Sequence, residues 1–349
     1  MTITTIPNAP RRLLAALCLG ALLLAGGASA DPAPLSPAVI SDWQNQASQG
    51  NAVAAINLGM AYLHGQGVAR DPAKAAQWLG KAADLGNTQA AVGLAALYLR
   101  GDGVPKDGAK AAALLQQPAA IGDIDAERLL ADLYYDGHAI AADYGRAATL
   151  YRKLANIGDP IASFMLGRCY AEGKGVAQST AQAAPWYEKA AGAGLEPAEY
   201  ELAQLYANGD GVTRDYVRAF VLMHQAATQH DRFAESALGL MYASGQGTGQ
   251  DYERAVHWLR QAAEDGMPTA EYALGLLYRY GMGLPASEAE AQQWITKAGA
   301  DGFGRDDAHR MHLLDQLGIT DPSKAPAPRS TACGFADVGG SPGRSICGD

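Results

Sequence analysis

The sequence predicts an all-α protein, an α-solenoid forming a right-handed superhelix from seven 36-residue helix-turn-helix repeats in residues 51–302. First, tyrosine and glycine recur every 36 residues without insertion or deletion, which indicates a repeat array. Second, apolar residues in each interval follow a helical spacing, and no run of alternating β-branched residues indicates a strand. Because two short helices cannot bury both their faces alone, neighbouring repeats are expected to stack around a continuous core. The recurring pairs are Tyr62 and Gly65, Tyr98 and Gly101, Tyr134 and Gly137, Tyr170 and Gly173, Tyr206 and Gly209, Tyr242 and Gly245, and Tyr278 and Gly281.

Residues 1–30 have the pattern of a cleaved signal peptide. Arg11 and Arg12 precede the apolar run LLAALCLGALLLAGG, and the small residues Ala28, Ser29 and Ala30 follow it. Cleavage would leave Asp31 first. The alternative, an uncleaved membrane anchor, is disfavoured because the apolar run is short for a bilayer span. We therefore expect a periplasmic or secreted protein that is not inserted in the membrane after cleavage.

Residues 31–50 are predicted to form an amino-terminal cap, with a helix from Ser41 to Gln49.

Each repeat then opens with a first helix. In repeat 1, Ala54, Leu58 and Tyr62 share one face of this helix and are predicted to be core. A small residue stands next to this face in every repeat, which predicts a close approach of two helices. The small residues are Gly59, Ala95, Ala131, Gly167, Ala203, Gly239 and Gly275.

The turn YLHGQGVARD of repeat 1 ends the first helix and begins the second. Gly65 is expected to end the helix because glycine adopts the left-handed conformation without strain. A second glycine recurs as in Gly67, with Ala139 as its replacement in repeat 3. The free N–H groups of a helix start can also bind an anion, but the capping side chain competes for them, so a turn is favoured over a phosphate site. The predicted N-caps of the second helices are Asp71, Asp107, Asp143, Ser179, Asp215, Asp251 and Ser287.

The second helix is predicted to place two further rows of residues inside the repeat. Ala75 represents a small row, and a larger row comprises Trp78, Leu114, Leu150, Trp186, Leu222, Trp258 and Trp294. A glycine such as Gly86 ends this helix in six repeats. His230 replaces that glycine in the fifth repeat, which predicts a different turn there.

Residues 303–318 are predicted to form a carboxy-terminal cap, with a helix from Asp306 to Leu317 ended by Gly318, and residues 319–349 a flexible Gly/Pro-rich tail. Cys333 and Cys347 in this tail are disulfide candidates in an exported protein, where closing a loop of about 15 residues contributes about 3 kcal/mol in the chain-entropy model. Cys169 occupies a core position of repeat 4 and is expected to be a buried thiol.

The runs LGMAYLHGQGVARDPAKAAQWLGKAADLG and ALGLLYRYGMGLPASEAEAQQWITKAGADG resemble the SLR family, the Sel-like repeats related to tetratricopeptide repeats. The resemblance covers all seven repeats. It implies an adaptor that binds other proteins and organises complexes, as most family members do. Exported bacterial members include envelope regulators, host-interaction factors and partners in polysaccharide export. One branch, the Helicobacter cysteine-rich proteins, is associated with penicillin binding or β-lactamase activity and carries a disulfide in each repeat. This chain departs from that branch, because Cys169 is the one cysteine in its repeats.

Charge and motifs argue against several classes of function. Without residues 1–30 the chain has 25 Lys and Arg against 36 Asp and Glu, a net charge of −11, which opposes nucleic-acid binding. No serine has a lysine three residues later, as a β-lactamase nucleophile would require. Gly339 to Gly343 match Gly-x-Ser-x-Gly, but without the strand and helix that present a nucleophile. His309 and His312 are interpreted as polar residues of the cap helix, because no third metal ligand is evident. We predict no catalytic residue, no metal and no cofactor.

A partner is expected on the first-helix face, defined here as the positions equivalent to residues 56, 60 and 63 of repeat 1. These positions vary between repeats, and mixed aromatic, arginine and acidic residues suit recognition. The alternative is that individual side chains pack between repeats. The predicted partner-binding residues are Arg128, Asp132, Tyr135, Phe164, Arg168, Tyr200, Gln204 and Tyr272.

The sequence therefore predicts a non-catalytic periplasmic adaptor that binds a protein or peptide of the envelope. Two alternatives remain open. One is a carbohydrate-binding subunit of a polysaccharide export system, since tyrosine and tryptophan stack on sugars. The other is a cell-wall-active or β-lactam-hydrolysing enzyme like the cysteine-rich branch.

Overall fold

The computed structural model describes residues 35–303 and 307–319, and every regular element in those residues is an α-helix. The predicted signal peptide, Cys333, Cys347 and the Gly-x-Ser-x-Gly match lie outside the described residues. The chain divides into two units, each described here by itself. Unit 1 runs to Ile157 and includes Lys174–Val176, and unit 2 comprises Gly158–Gly173 and the chain from Ala177 onward.

The helices of unit 1 are α1 (Pro37–Ser48), α2 (Ala52–His64), α3 (Pro72–Asp84), α4 (Thr88–Arg100), α5 (Gly108–Ala120), α6 (Ile124–Asp136) and α7 (Tyr144–Asn156). Those of unit 2 are α8 (Pro160–Glu172), α9 (Thr180–Gly192), α10 (Glu196–Asn208), α11 (Tyr216–Thr228), α12 (Arg232–Ser244), α13 (Tyr252–Glu264), α14 (Pro268–Tyr280), α15 (Glu288–Ala300) and α16 (Asp307–Gln316). From α2 to α15, even-numbered helices are first helices and odd-numbered ones are second helices. Within each unit, successive helices of the repeats pack on one another, as expected of an all-α solenoid.

Local hydrogen bonds define the ends of these helices as the sequence predicts. All seven predicted N-caps accept a backbone N–H in the first turn of a second helix; Asp71, for example, accepts from Lys74 N. The glycine at the end of every first helix is left-handed, as in Gly65, where φ is 72°. The Gly-rich segment is therefore a turn between helices.

The second glycine of the turn touches the preceding repeat. A Cβ on Gly103 would overlap the backbone of Pro72, the first residue of the preceding second helix. The same overlap recurs at the equivalent glycines of repeats 4 to 7. In repeat 3 the pair is reversed, because Ala139 replaces the glycine and the residue it meets is Gly108. A small residue on one side of this contact lets successive repeats approach closely.

The core lies between the first and second helices of each repeat. Gly59 brings α2 close to α3, since a Cβ there would lie 2.8 Å from Leu79 Cγ. The predicted large row at Trp78 is wrong by one residue: those side chains are half-buried, and the next residue fills the core. The buried residues are Leu79, Leu115, Tyr151, Tyr187, Met223, Leu259 and Ile295.

His230 retains the turn that glycine makes in the other repeats, so the predicted difference in repeat 5 is wrong. Its φ is 65°, in the left-handed region where the equivalent Gly86 has 84°. A residue with a side chain is strained in this region. His230 Nδ1 lies 3.8 Å from Oε1 of the buried Glu235, so the side chain has an acidic group nearby.

The two terminal helices pack differently. Helix α1 begins four residues earlier than the sequence indicates, because Ser36 caps it and Pro37 occupies its first turn, and it packs against α2. Helix α16 packs chiefly against α12, a first helix of repeat 6, whereas a cap that extended the stack would pack chiefly against α15.

Candidate partner-binding surface

Three of the predicted binding residues lie on α6 in unit 1. Arg128 is half-buried, and its Nη1 donates to Asp125 Oδ1 at 3.2 Å. Asp132 is also half-buried and accepts a 2.7 Å hydrogen bond from Tyr151 Oη. These two side chains keep a polar, partly accessible surface on the first-helix face of repeat 3.

Tyr135 does not share that surface, because only 6% of it is exposed. Its ring lies edge-on to those of Tyr144 and Tyr151, with centroids 5.7 and 6.1 Å away, and Lys174 Nζ lies 4.8 Å from its centroid. The structure therefore corrects the sequence interpretation: Tyr135 packs in unit 1, and its hydroxyl and ring are covered by neighbours.

Phe164 and Arg168 lie one turn apart on α8 in unit 2. Phe164 is 7% exposed and packs 5.8 Å from the ring of Tyr187, so it is a core residue rather than an open contact. Arg168 is half-buried and donates through Nη2 and Nε to Glu172 Oε1, at 2.8 and 3.1 Å. Its guanidinium also lies 6.0 Å from the Phe164 centroid. Arg168 is therefore a partly accessible arginine that contacts an aromatic ring and a carboxylate.

Tyr200 and Gln204 are half-buried on α10. The Tyr200 ring lies 6.3 Å from that of Phe233 on α12. Burial, together with the nearby carboxylate of Glu201, raises the pKa of Tyr200, so its hydroxyl stays protonated. Burial also raises the pKa of Glu201, although Arg168 opposes the shift. An aromatic ring and an amide thus lie on the first-helix face of repeat 5, and the carboxyl group of Glu201 is adjacent to Tyr200 in the chain.

An acidic group borders this surface at the start of α10. Burial raises the pKa of Glu196 to about 8, and Asp231, which shares a hydrogen bond with it, adds to the shift. Glu199 is buried, and Gln229 Nε2 donates to its Oε2 at 2.9 Å. The carboxyl groups of Glu196 and Asp231 share a hydrogen bond, and this arrangement favours a proton held between them.

Tyr272 on α14 is wholly buried, with no exposed surface. Its ring stacks on that of Phe303 at a centroid distance of 4.6 Å. A side chain in this position contributes to the core of unit 2, so the prediction that it belongs to an open binding surface is corrected.

Sequence reasoning missed a row of buried carboxylates in the first turn of four first helices. Nζ of Lys297 lies 2.7 Å from Glu271 Oε1, and Lys153 likewise pairs with Glu127, so each pair joins the two helices of one repeat. The signal was present, because glutamate recurs at one repeat position, but only the packing shows that the position is buried. The four residues are Glu127, Glu199, Glu235 and Glu271, all at most 4% exposed.

The described residues offer little for other chemistry. Within 35–303 and 307–319, no group of three or more His, Cys, Asp or Glu side chains is arranged to hold a metal ion. His312 is exposed on α16, and the side chain of His309 lies outside the described ones. Cys169 is buried in α8. None of the helices described is both long and apolar enough to cross a membrane.

Comparison with known proteins identifies the repeat. The Sel1 repeat model matches residues 52–87, 88–123, 124–159, 160–195, 196–231, 233–267 and 268–303. One similar solved structure is the crystal structure of c5321, a protective antigen present in uropathogenic Escherichia coli strains and displaying an SLR fold. Its sequence is 32% identical to this chain, and the TM-score is 0.71. The match covers 79% of this chain and 59% of that one. This chain therefore spans less than two thirds of that antigen. A Sel1 repeat protein from Oxalobacter formigenes is 31% identical, with a TM-score of 0.64 over 79% of both chains. Functionally curated proteins provide no match.

Proposed function

The chain belongs to the Sel1 repeat family, whose members generally act as scaffolds for protein interaction, and from that premise we propose that it is an exported, non-catalytic adaptor. It binds a protein or peptide partner of the bacterial envelope on its first-helix face. The pattern of residues 1–30 supports export to the periplasm or the exterior.

One observation carries this proposal: five of the predicted residues, at positions that differ between repeats, stay partly accessible on the first helices. Arg128 and Asp132 form such a pair in unit 1, and Arg168, Tyr200 and Gln204 form such a set in unit 2. The alanine and leucine shared by all first helices are instead buried in the core, as Ala54 and Leu58 are. Arginine and tyrosine are also the residue types that most often dominate binding energy at interfaces.

The net charge favours a partner segment with positive charge, because the exported chain is acidic overall. Opposite charges speed association and help select the partner. Carbohydrate binding and β-lactam or cell-wall chemistry gain no supporting arrangement from the described side chains, so the adaptor is the one function we propose.

Affinity capture tests the proposal. The exported chain is immobilised, incubated with envelope extract, and the bound proteins are quantified by mass spectrometry. We expect Tyr200→Ala or Arg128→Glu to reduce recovery of a specific partner at least about tenfold, as loss of an interface anchor does. High salt should also weaken the complex, since rim charges are screened.

Matched controls carry the same changes on second helices. Tyr216→Ala on α11 and Arg152→Glu on α7 should leave recovery unchanged. Circular dichroism is used to check that all four variants are folded. If the first-helix variants and these controls recover the same complexes in the same amounts, the first-helix face is not the binding surface and the proposal is wrong.

A further inference from the structure

Helix α16 rests on a first helix of the repeats. It packs chiefly against α12, whose other main packing partners are the second helices α11 and α13. Three leucines of α16 are buried: Leu313, Leu314 and Leu317 are 2%, 1% and 0% exposed. Tyr252 Oη donates to Leu317 O at 3.3 Å, which closes the end of the helix. The helix therefore buries one apolar side on the repeats.

The first-helix face of repeat 6 is covered where that of repeat 5 is partly open. On α12, Ser236 and Ala243 of this face are buried. On α10, by contrast, Tyr200 and Ala207 at the equivalent positions are half-buried. The first-helix face of repeat 6 is hence a covered surface in this chain.

The occupant is an amphipathic helix. Met311 and His312 are exposed, whereas the leucines at 313, 314 and 317, spaced i, i+1 and i+4, are buried. A helix of ten residues is too short to be stable on its own, so contact with the repeats holds it in helical form. Ordering such a segment costs entropy that offsets much of the gain from burial. Release of α16 would restore the entropy that its ordering costs.

We propose that the first-helix face of repeat 6 is a docking surface for an amphipathic helix of the partner, and that α16 is its internal occupant. This inference rests on the proposed adaptor function and specifies the kind of partner. The partner helix presents aliphatic side chains with the spacing of Leu313, Leu314 and Leu317, and it binds when α16 leaves. Docking of an apolar helix face in a groove of helices is a recurrent mode of recognition.

Fluorescence anisotropy with a labelled peptide of residues 307–319 tests the surface directly. In the full chain, Leu313→Asp with Leu317→Asp releases α16, because two charges replace fully buried leucines. We expect this variant to bind the peptide at least about tenfold more tightly than the natural chain does, since the competing segment is gone. Met311→Asp is the matched control: it places the same charge on the exposed side of α16 and should leave peptide affinity at the level of the natural chain.

Two readouts separate the possible failures. A peptide carrying the same two Asp substitutions should not bind any form of the chain. Equal affinity of the natural peptide for the released variant and for Met311→Asp would overturn the inference. Hydrogen exchange tests whether the released variant is still folded, because the amide groups of α12 and α14 must remain protected for its peptide affinity to be interpreted. Loss of that protection would show that α16 is a structural part of unit 2. That result would also overturn the inference.

Capture from envelope extract then links the surface to the partner. The released variant should recover more of the partner than Met311→Asp does. Equal recovery would overturn competition by α16 while leaving the adaptor function intact. Failure of every form to recover any partner would instead count against the adaptor function, and the peptide measurement would still decide whether the face binds a helix.

Discussion

Replacing Gly108 by alanine should destabilise unit 1, although the same change usually stabilises a helix. Gly108 is the first residue of α5, and a Cβ there would lie 3.0 Å from both Cα and O of Ala139, and closer still to its Cβ. Carbon atoms prefer separations of about 3.5–4.0 Å. The turn of repeat 3 must therefore move away from α5.

The expected magnitude follows from two opposing terms. Overpacking at a tight contact costs about 1–3 kcal/mol, and alanine returns at most about 1 kcal/mol of helix propensity over glycine. We expect a net loss of about 1–2 kcal/mol in the free energy of unfolding. Ala139→Gly alone should cost about 0.5–1 kcal/mol through chain entropy. In the double variant the closest overlap is removed, so the two losses should not add.

Urea unfolding followed by circular dichroism measures this coupling as a double-mutant cycle. We expect the double variant to be at least about 1 kcal/mol more stable than the sum of the single losses predicts. Gly145→Ala serves as the matched control, because it lies in the first turn of α7, is exposed, and its Cβ would meet only Asp143 Oδ1 at 3.5 Å. That variant should be neutral or slightly stabilised. Strict additivity of the two changes would refute the reasoning that a small residue on one side of the contact sets the spacing of repeats.

Three other variants test the core, the turn and a buried charge. Tyr272→Ala should lower the free energy of unfolding by about 3–5 kcal/mol, measured in urea, because a fully buried aromatic leaves a cavity. His230→Gly should raise it by up to about 1 kcal/mol by relieving left-handed strain, and a loss would show that the contact with Glu235 outweighs the strain. Burial raises the pKa of Glu235 above its usual 4.5, so its contribution to stability is present below pH 4.5 and is lost as pH rises through the raised pKa. Glu235→Gln should therefore stabilise the protein near pH 8 and change little near pH 4; equal effects in urea unfolding at both pH values would contradict this sign.

The features that the sequence predicted well are local ones. The N-cap of a second helix at Asp71 and the left-handed glycine at Gly65 depend on φ angles and hydrogen bonds within a few residues. Seven copies of the same pattern then made the period unambiguous. His230 shows the limit of this reasoning, because the turn keeps its left-handed conformation even where the residue type disfavours it.

Core membership was predicted less well on the second helix. Trp78 and Leu79 are adjacent, so helical periodicity places both near the same side, and the packing of the first helix decides which is enclosed. The predicted binding residues differ in exposure for a similar reason. Arg128 and Tyr135 belong to the same predicted face of α6, yet Tyr144 and Tyr151 enclose Tyr135 while Arg128 stays partly accessible.

The sequence by itself determined the repeat, its two helices, their caps and the turn between them, because these follow from spacing and from conformational preferences of single residues. Only the tertiary structure decided that Glu271 is buried beside Lys297, that Tyr272 stacks on Phe303, and that α16 lies on α12. Each of these depends on side chains brought together from distant parts of the chain. A periodic pattern states which residues can face a neighbour, and only the packed structure states which neighbour is there.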